Sequence, residues 1–554
     1  MIRICTLLIG LAISIPAFTQ AQWTWAHQMG GWNNTFSGTF LGIDNSGGLY
    51  MAGDFSGTRS FGGSSLTASG TFDAFVGKID TAGNFVWLEK AGGTGASVSV
   101  FASYTSPNGS TYMTGKFSGT VSFGTYTLTA TSAYDDMFIA CYDNQGTVTW
   151  AQSYGGSGYA EGRAIFADNS GIVYITGAFS GSISFGSNNL VAQHQFNTDI
   201  FVLKLSGSGN ILWAKRAGSA TQEDKGNGIT VDGSGNVFVT GTYKQTADFD
   251  TDTLVSSGEY DMFLVKYDPT GNVSWTKKAG GSGFGRAAGG NALALDQNGN
   301  IYVTGIFNGT NISFGNGYTL NETQQNNTFY GDFFLAKYNA SSGNTLWAKK
   351  GGGSSVTDSG NAIDIDSQGN IYVTGSFQNG GSPPSASFDG FTLVSAGLGD
   401  VFVIRYSPNG DVSWVVKLGA GNEDAGRSII ANAPNKVFVS GYFTGNVTVA
   451  STTLSSPANT WQIFFARVDA GTTAINEISS FSFKMFPNPT SDILYLDGKG
   501  LETIEITDQL GKIIYTSELT SGKNTVDVSS LDKGIYFIKI GDGKSTDISK
   551  LIIN

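Results

Sequence analysis

The sequence predicts an all-β fold built from seven copies of one antiparallel unit, because three markers recur along the chain. One marker is a glycine that ends a strand of the Tyr-Val-Thr-Gly type. The others are an aspartate two residues before a phenylalanine, as in Asp400 and Phe402, and a tryptophan, as in Trp414. Repeats of about 65 residues that each hold a few short strands indicate stacked units. The marker glycines are Gly53, Gly115, Gly177, Gly241, Gly305, Gly375 and Gly441.

Each unit is predicted to hold four strands, as residues 361–418 illustrate. Alternating apolar residues lead into the turn Asp366–Asn370 and continue after it as Ile-Tyr-Val-Thr-Gly. Aspartate accepts backbone N–H bonds in such a turn, and Gly369 supplies its positive φ. Two further runs with period-2 patterning, around Phe402 and Trp414, complete the unit. Four short strands fit a propeller blade, and closing the ring removes exposed sheet edges. We therefore predict a seven-bladed β-propeller at residues 22–469.

The markers are out of phase at the two ends of the repeat region. Trp25 precedes the first Tyr-Val-Thr-Gly strand, whereas the last copy of the second marker, Gln462 to Phe464, has no tryptophan strand after it. Residues 23–29 are therefore predicted to supply the outer strand of the last blade.

The N-terminus predicts a secretory signal peptide at residues 1–21. Arg3 precedes an apolar run at 4–18, and small residues follow it. Cys141 is then the lone cysteine of the mature chain. No other apolar stretch approaches 18 residues, so no transmembrane segment is predicted. The net charge of -12 argues against nucleic acid or an anionic membrane as a partner.

After Asp469 the repeat stops, and the composition predicts a polar linker at 470–482 and a second domain at 483–554. That domain shows seven short alternating strands separated by turns such as 508–511 and 532–534. Seven strands in about seventy residues predict a small Ig-like β-sandwich.

The repeat motif resembles the SBBP-type bacterial β-propeller repeat, most clearly at Asp296–Gly305 and Asp366–Gly375. This resemblance implies the fold but no single activity. The tail resembles the type A C-terminal sorting domain of the type IX secretion system. That resemblance implies the secretion machinery as a partner of residues 483–554, export from a Gram-negative cell, and surface anchoring or release. The matching residues are Phe486–Pro489, Asp492–Tyr495, Asp508–Gly511, Leu531–Phe537 and Lys550–Asn554.

Few residues suggest metal or nucleophile chemistry. His27 and His194 are far apart and lack the neighbours that a zinc site or a catalytic triad requires. Cys141 occupies a slot that holds lysine or arginine in other units, which predicts a core substitution. No cofactor is predicted. Calcium at the aspartate turns is an alternative, but turn chemistry explains these turns without a metal. The lysine or arginine of that slot, exemplified by Lys266, Lys337, Arg405 and Arg467, is predicted to be buried and paired with a repeat aspartate.

The loops between the tryptophan strand and the next inner strand carry acidic residues. We expect these loops to converge on one end of the central channel and to focus a negative potential there. Such a rim favours a cation, a basic peptide or a hydroxyl-rich sugar. The alternative is that these groups cap turns and pair with Arg163, Lys225 and Arg427. The predicted ligand-binding residues are Glu161, Glu223, Asp224, Asp358, Glu423 and Asp424.

These features predict a secreted or cell-surface β-propeller that acts as a non-catalytic binding or scaffold module for a surface glycan, peptide or protein. The alternative is a carbohydrate-active hydrolase or lyase, since two rim carboxylates suffice for glycoside hydrolysis. The rim carboxylates recur in several blades, however, whereas a catalytic pair is normally an exception to its repeat.

Overall fold

The fold is all-β, as predicted: in the described residues of the computed structural model, every regular element is a strand. The chain divides into two compact bodies, the first ending at Gly471 and the second starting at Thr472. The predicted signal peptide and linker lie essentially outside the described residues. No helix with the length and apolarity that a bilayer requires occurs in the described part. The structure describes residues 21–32, 39–80, 83–220, 223–282, 287–323, 330–353, 357–378, 385–433, 436–456, 460–469, 483–498, 503–508, 512–520, 522–541 and 546–554.

The described part of the first body contains seven antiparallel units of four strands, in the order first, second, third and fourth strand. The strands of unit 1 are Thr39–Ile43, Leu49–Phe55, Asp73–Ile79 and Phe85–Gly92. Those of unit 2 are Ser97–Thr105, Thr111–Ser118, Asp136–Tyr142 and Val148–Tyr154. Those of unit 3 are Ala160–Ala167, Val173–Phe179, Asp199–Leu205 and Ile211–Ser219. Those of unit 4 are Lys225–Val231, Val237–Tyr243, Asp261–Tyr267 and Val273–Ala279.

The strands of unit 5 are Ala287–Leu295, Asn300–Asn308, Asp332–Asn339 and Thr345–Gly353. Those of unit 6 are Ser359–Ile365, Ile371–Gln378, Gly399–Tyr406 and Val412–Leu418. Those of unit 7 are Ala425–Ala433, Lys436–Phe443, Trp461–Asp469 and Gln22–Trp32.

The N-terminal strand Gln22–Trp32 is the fourth strand of unit 7, as the marker phase predicts. It pairs antiparallel with Trp461–Asp469, with Ala26 opposite Ala466. The first strands of units 7 and 1 are also neighbours: Ser428 Oγ accepts the Leu41 N–H at 3.0 Å. The two ends of the repeat region therefore meet.

A two-stranded hairpin between the second and third strands of each unit was not predicted. In units 1, 2, 4 and 6 this hairpin pairs with the fourth strand of the preceding unit and extends that sheet to six strands. Its turn follows a buried residue and often begins with positive φ, as at Gly186 and Asp250. The hairpins are Thr58–Phe61 with Ser64–Thr67, Thr120–Phe123 with Tyr126–Thr129, Ser182–Phe185 with Asn188–Val191, Thr246–Phe249 with Asp252–Val255, Ile312–Ser313 with Thr319–Leu320, Ser385–Phe388 with Phe391–Val394, and Asn446–Val449 with Thr452–Ser455.

The Thr-Gly ending of the second strand is fixed by close packing. Thr374 Oγ1 donates to the Phe402 carbonyl at 2.8 Å and also faces Gly426 of the next unit. A Cβ on Gly375 would lie 1.8 Å from the Ser359 carbonyl oxygen, so only glycine fits there. These contacts join neighbouring strands and neighbouring units.

The aspartate turns and the tryptophans have structural roles. The Asp366 carboxylate accepts the backbone N–H groups of Gln368 and Asn370, each at 2.9 Å, and the Tyr372 hydroxyl at 2.9 Å. Protein donors thus surround this carboxylate, which explains the turn motif without calcium. Trp87 Nε1 donates to the Asn144 carbonyl in the turn of the next unit at 3.1 Å, which confirms packing between units.

The predicted pairing of the mid-strand cations is wrong for Lys266 and Lys337, although Lys78, in the same slot of unit 1, does pair with Asp44 at 3.2 Å. Lys266 and Lys337 are half-buried and donate to backbone carbonyls of the following unit, at 3.3 and 3.1 Å. Arg405 is half-buried and has no ion pair with a described residue. Only Arg467 of the four predicted cations pairs with an aspartate, Asp469, at 2.7 Å, and it too is half-buried.

The repeat aspartates pair instead with a cation on the fourth strand. The buried Asp199 and Asp400 carboxylates contact Arg216 at 2.6 Å and Lys417 at 3.1 Å. Unit 2 lacks this ion pair because Ser153 stands at the cation position, and Thr131 donates to Asp136 instead. In unit 7 glutamines replace both partners, and Gln28 Nε2 donates to Gln462 Oε1 at 3.2 Å.

The second body contains seven strands in two sheets within the described residues. One sheet has the order Phe483–Phe486, Ile493–Gly498, Gly522–Asp527, and the other has the order Ile513–Glu518, Thr503–Thr507, Gly534–Gly541, Thr546–Ile553. Buried residues of both sheets, including Leu494, Val526, Ile506 and Ile538, form one apolar core.

Candidate functional site

A cavity of about 550 Å³ lies where the first strands of all seven units converge. This volume falls within the range of roughly 300–1,000 Å³ for small-molecule sites. Farther along the same strands, a second cavity of about 400 Å³ is lined mainly by aliphatic residues and also by Tyr104 and Asp364. We call the first cavity the mouth. Five aliphatic residues line both cavities: Ile165, Ile229, Leu293, Ile363 and Ile429.

The polar lining of the mouth comes from a β-bulge in the first strand. In units 3 to 7 the bulge follows a glycine, and the extra residue lines the cavity. Bulges re-aim a side chain and are common beside functional sites. The bulged residues of these five units are Arg163, Asn227, Asn291, Asn361 and Arg427.

Hydrogen bonds hold these side chains in a chain around the mouth. Arg163 Nε donates to Asn227 Oδ1 at 2.9 Å. The Nδ2 atoms of Asn227, Asn291 and Asn361 each donate to a glycine carbonyl of the next unit at 3.0 Å. The amides are therefore oriented before any ligand binds, which reduces the ordering cost of binding.

Units 1 and 2 depart from this pattern and place phenylalanine at the mouth. Phe101 is the bulged residue of unit 2, and Phe40 lines the cavity from unit 1. Their neighbours in the order of the units are Arg427 of unit 7 and Arg163 of unit 3. One arc of the mouth is therefore aromatic and flanked by guanidinium groups, whereas the opposite arc consists of amides.

The two arginines differ in their partners. Arg163 forms an ion pair with the buried Glu161 at 2.6 Å, and Tyr159 also hydrogen-bonds that carboxylate. Arg427 lies over the Tyr442 ring, 5.3 Å from its centroid, and has no ion pair with any described residue. Arg427 thus brings a positive charge to the mouth that no direct ion pair neutralises, although the Glu423 carboxylate contacts the same Tyr442 hydroxyl at 3.4 Å.

Three of the six predicted rim residues are buried aspartates that connect units. Asp358 accepts the N–H of Gly353, at the end of unit 5, at 2.7 Å and that of Gln378 at 3.1 Å. Asp224 and Asp424 make the matching pairs of bonds in units 4 and 7. Burial raises the pKa of Asp224 to about 6 and those of Asp358 and Asp424 to about 7.

The glutamates of the predicted rim are also engaged with neighbouring residues. Glu161 pairs with Arg163, and the exposed Glu223 pairs with Lys225 at 3.1 Å. Glu423 accepts the Tyr442 hydroxyl at 3.4 Å. None of the six acidic residues lines the described cavity, so the structure does not bring them together there. A ligand-binding role for these six residues stays a prediction. The alternative, that they accept backbone N–H bonds or pair with neighbouring cations, describes the contacts of five of the six.

Sequence reasoning missed the bulged residues, although a signal was present. Five units contain glycine, then arginine or asparagine, one small residue, and isoleucine or leucine, as in Gly360 to Ile363. The exceptions to this short motif, Phe40 and Phe101, mark the aromatic arc.

Cys141, His27 and His194 do not line the mouth. Cys141 is buried, as predicted, and burial raises the pKa of its thiol. Burial also lowers the pKa of the half-buried His27, while His194 is exposed. Among the described residues, no three His, Cys, Asp or Glu side chains are grouped closely enough to hold a metal ion.

Replacing Asp358 with asparagine is expected to reduce stability more at pH 5 than at pH 8. The pKa of Asp358 is raised on folding, so its contribution is present at low pH and is lost as the pH rises through about 7. The difference in the free energy of unfolding between wild type and Asp358→Asn should be larger at pH 5 by on the order of 2 kcal/mol. Urea titrations at both pH values measure it, with the exposed Asp411→Asn of the same unit as control. A larger effect at pH 8 would contradict the assignment.

Two family models match the chain in the regions where the repeats and the tail lie. The model described as a secretion system C-terminal sorting domain matches residues 484–554. The model described as a beta-propeller repeat matches residues 212–242 and 346–376. The chain carries β-propeller repeats and a C-terminal sorting domain. Both resemblances seen in the sequence are thereby confirmed. The sorting domain implies export by type IX secretion as an extracellular or cell-surface protein, and the propeller repeats are typical of binding or scaffold modules.

Curated relatives of the propeller match only part of their own length. An uncharacterized WD repeat-containing protein of Acanthamoeba polyphaga mimivirus is 26% identical over 364 residues, which cover 55% of this chain and 26% of that protein. The regulatory protein FlaEY of Caulobacter vibrioides is 31% identical over 112 residues, which cover 20% of this chain and 11% of that protein. The chain thus spans about a quarter or less of these relatives.

Some solved structures are similar to this chain, at low sequence identity. A chain of the mitotic checkpoint complex is 11% identical with a TM-score of 0.40, and the match covers 83% of this chain and 98% of that chain. A europium-containing methanol dehydrogenase is 12% identical with a TM-score of 0.37, covering 80% and 93%. These scores are too low to support a functional argument.

Proposed function

We propose that residues 22–469 form a closed seven-bladed β-propeller that acts outside the cell as a non-catalytic binding module. In this proposal residues 483–554 are an Ig-like sorting domain that the type IX secretion machinery recognises. The meeting of units 7 and 1 through Leu41 and Ser428 supports the closed ring. The two-sheet core of the tail supports a sandwich.

The observation that supports a binding function is the break in the repeat at the channel mouth. Units 3 to 7 present arginine or asparagine there, whereas units 1 and 2 present Phe40 and Phe101. A purely structural ring has no need for such an asymmetry. An aromatic surface beside fixed polar groups suits a ligand that has both an apolar face and hydrogen-bonding groups.

The hydrolase or lyase alternative receives less support from the geometry. The buried aspartates of the predicted rim each accept two backbone N–H bonds, as Asp358 does. Glu161 and Glu223 are held in ion pairs. A catalytic carboxylate pair has to face the substrate. No described carboxylate lines the mouth, and one, Asp364, lines the second cavity.

A glycan array combined with a reducing-sugar release assay tests this proposal on the full mature chain. We expect saturable binding without release of reducing ends. Phe101→Ala should weaken binding at least tenfold, because the aromatic arc loses one face. The matched control is Phe196→Ala, since Phe196 is 73% exposed and does not line the mouth. Release of reducing ends, or equal loss of binding in both variants, would overturn the proposal.

A further inference from the structure

The charge of the mouth is set by one arginine that lacks an ionic partner. Arg163 forms an ion pair with Glu161 at 2.6 Å, whereas Arg427 contacts the ring and hydroxyl of Tyr442. Glu423 reaches that hydroxyl at 3.4 Å but forms no ion pair with Arg427. A guanidinium group beside a partly enclosed cavity attracts an anion, and its planar fork matches a carboxylate. The net charge of -12 does not predict this local positive site.

The neighbours of Arg427 along the mouth are Phe40 and then Phe101, because units 7, 1 and 2 follow one another. The face of an aromatic ring is apolar and carries partial negative charge, so it stacks on the C–H face of a sugar ring. The Arg163 guanidinium lies over the Phe101 ring, 6.0 Å from its centroid. A carboxylate site beside Phe40 and this stacked pair matches a ring that bears an acidic group at its edge.

The opposite arc presents the side chains of Asn227, Asn291 and Asn361. The Nδ2 group of each amide donates to a glycine carbonyl of the following unit, which fixes the plane of the amide and leaves further donor or acceptor capacity toward the cavity. Sugar hydroxyls both donate and accept hydrogen bonds, so they match fixed amides better than groups that only accept.

We propose that the mouth binds a pyranose ring that carries a carboxylate, such as a uronic or sialic acid residue. The carboxylate pairs with Arg427, the apolar ring face packs on Phe40 and Phe101, and hydroxyls meet the asparagine arc. This inference rests on the proposed binding function and specifies its ligand. It places a positive charge at the mouth, whereas the acidic loop residues predicted a negative potential there.

Isothermal titration of the full mature chain with matched acidic and neutral sugars tests the inference. Tetragalacturonate is compared with galactotetraose, and 3′-sialyllactose is compared with lactose. We expect at least one acidic sugar to bind tenfold or more tightly than its neutral counterpart, with an affinity that falls as salt is added. The pair that shows this preference distinguishes a uronic acid from a sialic acid.

Two variants locate the source of the preference. Arg427→Gln should reduce the affinity for the acidic sugar at least tenfold and leave the neutral affinity nearly unchanged. Lys436→Gln removes one exposed positive charge from the same unit outside the mouth and should change neither. Equal binding of acidic and neutral sugars, or equal losses in both variants, would overturn the inference and leave the binding module intact. Absence of binding by all four sugars, on a chain that also binds nothing on the array, would overturn both.

Discussion

A chain that lacks residues 23–29 is expected to lose the cooperative unfolding transition of its first body or to fail to accumulate as soluble protein. The deletion removes the fourth strand of unit 7 and leaves Trp461–Asp469 as an unpaired edge. It also removes the buried Met29 and the Trp25 ring, which lies 5.1 Å from Phe465. Each large buried side chain contributes about 1.5–3 kcal/mol, so the total loss should reach roughly 5 kcal/mol or more.

Milder variants keep this prediction measurable if the deletion does not fold. Trp25→Ala and Met29→Ala should each lower the thermal midpoint of the first body, by calorimetry of the mature chain. The control is Val86→Ala on the fourth strand of unit 1, because Val86 is 65% exposed. Unchanged midpoints for the deletion and for both variants would show that the N-terminal strand does not close the ring.

Replacing Gly375 with alanine should be the most damaging single substitution in the repeats. The added Cβ would lie 1.8 Å from the Ser359 carbonyl oxygen and 2.9 Å from the Phe402 ring. The first of these contacts is with backbone, so the sheet of unit 6 has to move for the side chain to fit. We expect a loss of about 4 kcal/mol or more in the free energy of unfolding, which is exceptional for a point substitution.

The control for that substitution is Gly233→Ala in unit 4. A Cβ on Gly233 meets nothing within 4 Å, and its φ is not in the left-handed region. Urea denaturation should therefore show a change of about 0.5 kcal/mol or less for the control. Similar losses for the two alanines would contradict the close packing of the marker glycine.

The strand pattern, and the pairing of the N-terminal strand with unit 7, were predictable because they depend on local chemistry. Turn aspartates such as Asp366 and strand-ending glycines such as Gly375 appear directly in the sequence. The last repeat has no tryptophan strand after it, so unit 7 needed a fourth strand from elsewhere. Trp25, which precedes the first repeat, marked the segment that supplies this strand. Seven tail strands were likewise predictable from short alternating runs.

The predicted pairing of Lys266 with the repeat aspartate of its own strand was wrong because the two side chains lie on opposite faces of that strand. The spacing in the sequence already indicates this. Asp261 and Lys266 are five residues apart on one strand, and an odd separation places side chains on opposite faces. Lys278 lies opposite Phe263, on the same face as Asp261, and its Nζ is 3.7 Å from that carboxylate. The aspartate therefore meets the cation of the fourth strand.

The extra hairpin and the channel mouth were harder to predict for different reasons. The hairpin strands have only about four residues, and their turn residue varies from Gly186 to Asp250, so alternation gives little signal. The mouth depends on a β-bulge, which shifts the alternation by one residue and aims Asn291 into the cavity. The acidic loop residues were predicted as the site because they are charged. Aspartates such as Asp358 are in fact buried and accept two backbone N–H bonds, one of them from the preceding unit.

The most direct test of the acidic-sugar site is a crystal structure of residues 22–554 with the acidic sugar that binds in the titrations. We expect one sugar ring in the channel mouth, packed on Phe40 and Phe101, with its carboxylate within hydrogen-bonding distance of Arg427. A sugar bound at the loops that carry Glu223 and Glu423, or anywhere outside the mouth, would contradict it.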